Sequence, residues 1–302
     1  MKEQFLNFLR DFFSKSELNR LPDCFASIRI FSDPIVGVAK GNDKIFQKFK
    51  EVVGPNHLTP LEIWRVNGLP NSDTSAKNLR IISIVFPFTN EIRERSINKI
   101  KYPSKIYCVA RNYANEFKKE TLRQGIQYLQ DLGFNATSGM LSDAFNIIVK
   151  GGFTSTWSER HVAFAAGLGT FSLHEGLITE VGCNIRLASI ITDAPLKITP
   201  RESDDPYANC LYYSKGICKK CIERCPAGAI TEEGHDKVKC WIYGQKVARK
   251  MIKELKEIIE LKPHQRRING ILQKQKPPVG CAFCQFGVPC MDKNPTKNRN
   301  PD

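Results

Sequence analysis

The 302-residue chain lacks several features, and each absence excludes a class of protein. No apolar run approaches the ~20 residues that a bilayer-crossing helix needs, and the first residues do not follow the pattern of a secretory signal peptide. No complete G-x-G-x-x-G string occurs, which disfavours a Rossmann dinucleotide site. Internal repeats and low-complexity tracts are also missing. We therefore expect a globular, cytoplasmic protein with no membrane partner.

The chain is also short of acidic residues. It contains 31 Asp and Glu against 45 Lys and Arg, a net charge of +14, and its densest basic stretch covers residues 262–276. Positive charge of this size favours association with an acidic protein or with RNA. A charge run is more often a solvated surface than a binding site, so the charge alone does not choose between these partners.

Cysteine, in contrast, is abundant in one region. Eight of the eleven cysteines lie between residues 210 and 290. They are Cys210, Cys218, Cys221, Cys225, Cys240, Cys281, Cys284 and Cys290. The string CKKCIERCP contains most of the C-x2-C-x2-C-x3-C-P motif of two-cluster ferredoxins, whose last cysteine ligates the other cluster. The remaining three, Cys24, Cys108 and Cys183, lie singly in apolar stretches and are expected to be small buried hydrophobes.

Eight thiolates in this pattern predict two 4Fe-4S clusters. The first cysteine of the motif is missing, because Lys215 stands three residues before Cys218, and we expect Cys210 to replace it across a longer loop. A zinc ribbon would use four thiolates and leave the other four and the Cys-Pro step unexplained. A disulfide framework suits short secreted chains. Two clusters are favoured over one cluster with stray thiols, and they imply a reducing, oxygen-poor setting.

Apolar spacing upstream of the cysteines predicts alternating helices and strands. Helices are predicted at 3–13, 116–132 and 159–166, and strands at 81–88, 105–110, 134–137, 177–179 and 185–192, with an irregular region at 34–70. A further amphipathic helix, carrying Val247, Met251, Leu255, Ile258 and Ile259, lies between Cys240 and Cys281. This order favours an α/β layered domain over 1–196 and a loop-rich cysteine domain over 197–302.

Two further strings resemble a known group of proteins. ERHVAFAAGLGTFSLHEGLIT, residues 159–179, and NIRLASIITDAPL, residues 184–196, followed by the cysteine motifs, are similar to epoxyqueuosine reductase and to the respiratory reductive dehalogenases. The most specific shared elements are AGLG at 166–169, LIT at 177–179 and Thr192-Asp193. The likeness is good from about residue 117 to Cys290 and weak before that.

The resemblance implies a fold and a set of cofactors. It implies an α/β, or α+β, domain of nitroreductase-like topology that holds a cobalamin, followed by a bacterial ferredoxin-like domain with two 4Fe-4S clusters. Residues expected to contact the cofactor are Gly167, Leu168, Gly169 and Thr179, since glycine lets a backbone approach closely. By the same resemblance, Cys210, Cys218, Cys221 and Cys290 bind the cluster near the corrinoid, and Cys225, Cys240, Cys281 and Cys284 bind the distal one.

The function implied by the resemblance is that of an iron-sulfur oxidoreductase. Electrons from an acidic donor such as ferredoxin or flavodoxin would pass through both clusters to the corrinoid, which would reduce a small or tRNA-borne substrate. Two alternatives stay open at this point. One is an electron-transfer protein without a corrinoid, which binds a flavin or serves a partner enzyme. The other is an RNA-binding protein with structural clusters.

The proton donor is where the chain departs from the group. Epoxyqueuosine reductase has an aspartate about fourteen residues before the first glycine of AGLG, and this chain has Phe153 there. Thr154, Ser155, Thr156 and Ser158 nearby offer hydroxyls but no acid of suitable pKa. Other polar side chains, Tyr113, Arg160, His161 and His174, are available, but each is more often structural than catalytic. No catalytic residue is assigned from the sequence.

Overall fold

The structure is a computed structural model that describes residues 1–70, 75–150 and 152–297. Its helices are α1 Lys2–Lys15, α2 Ile45–Val52, α3 Pro60–Val66, α4 Asn90–Ile97, α5 Lys105–Asp131, α6 Glu159–Ala165, α7 Leu211–Lys215, α8 Lys220–Glu223 and α9 Lys237–Leu255. Its strands are β1 Ile35–Lys40, β2 Arg80–Pro87, β3 Ala136–Thr137, β4 Ile147–Ile148, β5 Thr154–Ser155, β6 Gly169–Phe171, β7 Leu177–Thr179, β8 Ile185–Thr192, β9 Ile230–Thr231, β10 Gly234–His235, β11 His264–Ile268 and β12 Ile271–Gln275. The chain is thus mixed α/β with small sheets.

An antiparallel sheet of order β1-β2-β8-β3 forms the centre of the molecule. Ile82, Ile84 and Phe86 of β2 pack into a core shared with α1 and α5. Ile81 and Val85, on the opposite face, pack against α2, α3 and α6. Because successive side chains of a strand point to opposite faces, a strand covered on both sides is apolar throughout. The prediction of a buried strand here is confirmed.

The strand predicted at 105–110 is wrong, because these residues form the first turns of α5. The Ser104 hydroxyl caps this helix by accepting a hydrogen bond from the Tyr107 N–H at 3.3 Å. The β-branched residues Ile106 and Val109 suggested a strand, but packing decides such short apolar runs. The helix continues to Asp131, and Gly133 follows it at φ +86°, the left-handed conformation in which glycine often ends a helix.

The region 34–70, predicted to be irregular, contains β1, α2 and α3. A capping box starts α3: the Thr59 hydroxyl accepts from the Glu62 N–H, and the Glu62 carboxylate accepts from the Thr59 N–H at 2.7 Å. Pro60 follows at the first helical position. The string TPLE therefore carried a helix signal that periodicity alone did not detect.

A hairpin of β11 and β12 forms within the basic stretch 262–276. Asn269 and Gly270 form its turn with positive φ, as a two-residue Asn-Gly turn requires. Ile268 pairs in parallel with Ile147, so one sheet of order β12-β11-β4-β5 joins residues from both sides of the predicted boundary at 196/197. That boundary stays a prediction. The last predicted helix is confirmed as α9 for Val247, Met251 and Leu255, but α9 ends at Leu255, so the prediction is wrong for Ile258 and Ile259, which lie beyond it.

Membrane-crossing helices were not expected from the sequence. Over the described ranges, no helix combines the length and the apolar character that spanning a bilayer needs.

Candidate functional site

A cavity of about 1700 Å³ lies between the central sheet and the elements that follow it. Lys118 of α5, Glu159 of α6, Arg186 of β8 and Arg266 of β11 all face it. Pockets for drug-sized ligands are roughly 300–1,000 Å³, so this space can hold a large organic cofactor together with a substrate. The cavity is therefore the candidate binding site.

Apolar and basic side chains share the wall of this cavity. The apolar part is formed by Trp157, Phe164, Phe171, Leu173 and Leu177, which offer flat surfaces to a ring system. Eleven Lys and Arg residues line the cavity against seven Asp and Glu, so its field favours anionic groups. This combination suits a ligand with an apolar body and phosphate or carboxylate substituents.

Glu159 and Lys118 form a buried pair of ionisable groups beside the sheet. Burial raises the pKa of the Glu159 carboxyl to about 7 and lowers the pKa of the Lys118 ammonium to about 8. Ser189 and Trp157 lie beside the carboxylate. Even so, neither oxygen has a partner of hydrogen-bond geometry among the described residues. Glu159 is thus a cavity carboxyl that can hold a proton near neutral pH.

His161 and His57 are neutral neighbours of this pair. Burial, helped by Arg160, lowers the pKa of His161 to about 3. Burial likewise lowers the pKa of His57 to about 4, with Lys50 as the next cause. The His161 ring shares a 2.7 Å hydrogen bond between its Nδ1 and the Ser158 Oγ. Of the two, His161 lines the cavity, where its ring is not a cationic proton donor at neutral pH.

The structure brings the predicted cluster cysteines near one another. Burial, together with nearby Cys290, Cys210 and Cys218, raises the pKa of the Cys221 thiol to about 12. Burial also raises the pKa of Cys284, and the cysteines that add to this are Cys281, Cys240, Cys221 and Cys225. Each of the eight cysteines is thus near Cys221 or Cys284, and these two adjoin each other. The ligand assignments themselves stay predictions.

A single-ion site has a different geometry from a cubane, because four thiolates on one zinc converge on a point about 2.3 Å from each sulfur. Among residues 1–70, 75–150 and 152–297, ligand atoms of three or more metal-binding side chains lie within 4.8 Å of one another only at His174, Cys183 and Cys290. One of the eight clustered cysteines belongs to that group. In a cubane each cysteine binds a different iron, so the four ligands of a cluster do not converge on one point.

Cys183 is a neighbour of the cluster region that the sequence did not reveal. Its Sγ lies 3.7 Å from the Sγ of Cys290. The adjacent Cys183 thiol, followed by His174, lowers the pKa of the Cys290 thiol to about 5. Cys108 is buried as expected, whereas Cys24 is exposed, so the expectation of a buried thiol is wrong there.

The residues predicted to contact a cofactor pack closely against other parts of the protein. A Cβ on Gly167, which has φ +71°, would meet the Pro200 carbonyl oxygen at 2.5 Å, and one on Gly169 would meet that of Ile178 at 2.2 Å. The Thr179 hydroxyl donates to the Gly182 carbonyl oxygen at 2.8 Å. None of Gly167, Leu168, Gly169 and Thr179 is among the described residues that line the cavity. Their contact with a cofactor stays a prediction.

The other residues considered from the sequence separate into two groups. Phe153, Arg160 and His161 line the cavity. The Tyr113 hydroxyl donates to the Glu260 carbonyl oxygen at 3.2 Å, and His174 is buried beside Cys290. Glu159 was missed because an acid at the start of a helix is usually solvated, and only the tertiary structure shows its burial.

Comparison with known proteins finds matches among solved structures. No family model matches the chain, and no curated protein does either. Epoxyqueuosine reductase from Streptococcus thermophilus matches over 98% of this chain and 68% of its own, with TM-score 0.50 and 13% identity. The enzyme from Bacillus subtilis matches over 100% and 68%, with TM-score 0.49 and 16% identity. A catabolic reductive dehalogenase matches over 66% and 24%, with TM-score 0.41 and 17% identity. The resemblance predicted from the sequence is thus confirmed at the level of the fold, which this chain shares with the epoxyqueuosine reductase of Streptococcus thermophilus.

Proposed function

We propose that the chain is an iron-sulfur oxidoreductase in which two 4Fe-4S clusters pass electrons to a corrinoid held in the large cavity, where a small or tRNA-borne substrate is reduced. One observation carries this proposal. Cys183 lines the cavity, and its Sγ lies 3.7 Å from that of Cys290, a predicted cluster ligand. A cluster on Cys290 would therefore adjoin the cavity wall, as direct electron delivery requires.

The residues present suit both kinds of cofactor. The proximity of all eight cysteines to Cys221 or Cys284 supports two cubanes with thiolate ligands. In the proposed division, residues 1–196 form a nitroreductase-like domain and 197–302 a ferredoxin-like domain. The apolar wall that includes Phe164, Phe171 and Leu173 would support the face of a corrinoid. When bound, the corrinoid would supply a strongly reducing cobalt, and the protein supplies orientation and protons.

Glu159 is the proposed proton source. It faces the cavity, and its pKa near 7 lets it hold a proton at neutral pH and release it to a substrate that gains electrons. Lys118 beside it can return the proton or stabilise the carboxylate that forms. The basic lining, including Arg111 and Arg267, would hold phosphate groups of the substrate or cofactor.

Metal analysis of anaerobically purified protein from a cobalamin-supplied host tests this function. We expect about eight irons, matching sulfide and one cobalt per chain, with corrinoid absorption. Eight irons without cobalt, after reconstitution with cobalamin, would contradict the corrinoid part. Zinc in place of iron would contradict the whole proposal.

Single replacements test the ligand sets. Cys225→Ser and Cys218→Ser should each lower the iron content by about four and leave the other cluster's electron paramagnetic resonance signal intact. Cys24→Ser is the matched control, because Cys24 is an exposed cysteine far from these motifs in sequence. Equal iron content in all three variants would contradict the assignment.

A further inference from the structure

The backbone around Cys183 is held rigidly against the segment that carries Cys290. Thr179 and Gly182 exchange backbone hydrogen bonds of 3.1 and 3.0 Å, which closes a tight turn just before Cys183. The Cys183 N–H then donates to the Cys290 carbonyl oxygen at 2.8 Å, and the Asn184 N–H donates to that of Met291 at 3.0 Å. These bonds fix the position of the Cys183 side chain, whose Sγ is 3.7 Å from that of Cys290.

His174 approaches the same sulfur from the hairpin between β6 and β7. Its Nδ1 accepts a hydrogen bond from the Gly176 N–H at 3.2 Å, so a neutral ring carries its proton on Nε2. A Cβ at position 176 would lie 2.4 Å from the Cε1 of His174, so glycine is needed there for the ring to fold back. The loop thereby selects one tautomer and one orientation of the ring.

The Nε2–H of His174 is a buried donor that needs an acceptor. The residue is 5% exposed, and Nε2 has no hydrogen-bond partner within the described ranges of the chain. It belongs to the group whose ligand atoms lie within 4.8 Å of one another, together with the sulfurs of Cys183 and Cys290. Buried polar groups in native proteins are almost always paired, and a thiolate on Cys290 is the acceptor within reach.

We propose that His174 Nε2–H and Cys183 Sγ–H donate hydrogen bonds to the Cys290 thiolate of a 4Fe-4S cluster and raise the reduction potential of that cluster. The inference rests on the proposed function, because it takes Cys290 as a cluster ligand. A reduced cluster carries one more negative charge, part of it on the sulfurs, so donors at the sulfur stabilise the reduced form more than the oxidised one. His174 and Cys183 are positioning residues in this scheme and bind no iron.

Potentiometric titration followed by electron paramagnetic resonance tests the inference on the full, cluster-loaded chain. Cys183→Ala and His174→Phe each remove one donor, and each should make one cluster about tenfold harder to reduce, a fall of ~59 mV for one electron. Cys183→Ser keeps a donor at the same place and should retain most of the wild-type potential. The second cluster is the internal reference. Cys218→Ser should remove the cluster that Cys290 also binds, and it thereby identifies the signal whose midpoint potential shifts.

The possible failures can be told apart. Eight irons with both midpoint potentials unchanged in the Ala and Phe variants would overturn the inference alone. Equal shifts in the midpoint potentials of both clusters would also overturn it, because a change in folding would then be the cause. One tightly bound zinc with four irons would mean that His174, Cys183 and Cys290 hold a single ion. A wild-type chain that takes up no iron would overturn the proposed function, and the inference with it.

Discussion

Glu159 illustrates how burial changes the chemistry of a single residue. On the surface its carboxyl would be ionised at neutral pH, but desolvation raises its pKa to about 7. Lys118 is affected in the opposite sense, since burial lowers its pKa to about 8. The opposed shifts bring the two pKa values to within about one unit of each other, a pattern that is common at functional sites.

Replacing Glu159 by Gln should lower substrate reduction by roughly 10²- to 10⁴-fold, the usual contribution of a general acid. In the wild type, turnover should fall as the pH rises through about 7, because the carboxyl loses its proton there. The measurement is a pH-rate profile with a chemical reductant, with infrared detection of the protonated carboxyl. Glu94→Gln, on the exposed face of α4, is the control. A profile unchanged in Glu159→Gln would exclude this role.

The same carboxyl should also affect stability, with a definite sign. The folded-state pKa of Glu159 lies above its ordinary value of 4.5, so the folded chain holds more protons between about pH 4.5 and 7. The free energy of unfolding should therefore fall as pH rises across that window, by up to about 3 kcal/mol for this group. Urea unfolding at several pH values measures this, and the fall should be smaller in Glu159→Gln.

At the scale of elements, the turn from Thr179 to Gly182 is pressed against the segment after Cys290. Gly182 has φ +81°, and a Cβ there would meet the Met291 carbonyl oxygen at 2.4 Å. A residue other than glycine would have to move this segment, and Cys290 with it. The sequence showed a glycine here, but only the fold shows what it approaches.

Gly182→Ala should therefore destabilise the chain and lower its iron content. Alanine at positive φ costs about 1–2 kcal/mol, and overpacking adds about 1–3 kcal/mol. Gly133→Ala is a matched control, since Gly133 has φ +86° and nothing within 4 Å of the added Cβ. Gly133→Ala should show only the cost of alanine at positive φ, and its iron content should equal that of the wild type. Thermal unfolding with iron analysis compares the two variants, and equal losses in both would contradict the close-approach argument.

Asn112, a buried residue of helix α5, bonds to the segment just before the β11–β12 hairpin, and Asn115 of the same helix bonds to His264 of β11 at 3.1 Å. The Asn112 side chain donates to the Lys262 carbonyl oxygen at 3.0 Å and accepts from the Lys262 N–H at 2.8 Å. The hairpin supplies Arg266 and Arg267 to the cavity. The asparagine thus positions part of the cavity wall from the opposite half of the sequence.

Asn112→Ala should cost about 1–3 kcal/mol, because it removes two hydrogen bonds to the Lys262 backbone, each worth about 0.5–1.5 kcal/mol. Amide hydrogen exchange should become faster in β11 and β12. Gln124→Ala changes an amide on the exposed face of the same helix and should leave exchange in the hairpin unaltered. Faster exchange throughout the chain in Asn112→Ala would point to general destabilisation.

At the scale of the whole molecule, the net charge of +14 should govern association with other proteins. Electron transfer from an acidic ferredoxin or flavodoxin should slow as ionic strength rises, because salt screens long-range attraction. Stopped-flow reduction of the clusters over a range of salt concentrations measures this. An uncharged small reductant serves as the control and should show little salt dependence. A donor rate independent of salt would contradict charge-guided docking.

The sequence by itself determined the local and repetitive features of this protein. Cysteine spacing, the apolar run of β2 and the cap at Gly133 are visible in the chain because they depend on neighbouring residues and on periodicity. The tertiary structure alone decided three other features. It buries Glu159, it makes residues 105–110 helical although their sequence suggested a strand, and it places Cys183 and His174 beside Cys290. These depend on contacts between residues distant in sequence, whose free energies no local pattern records.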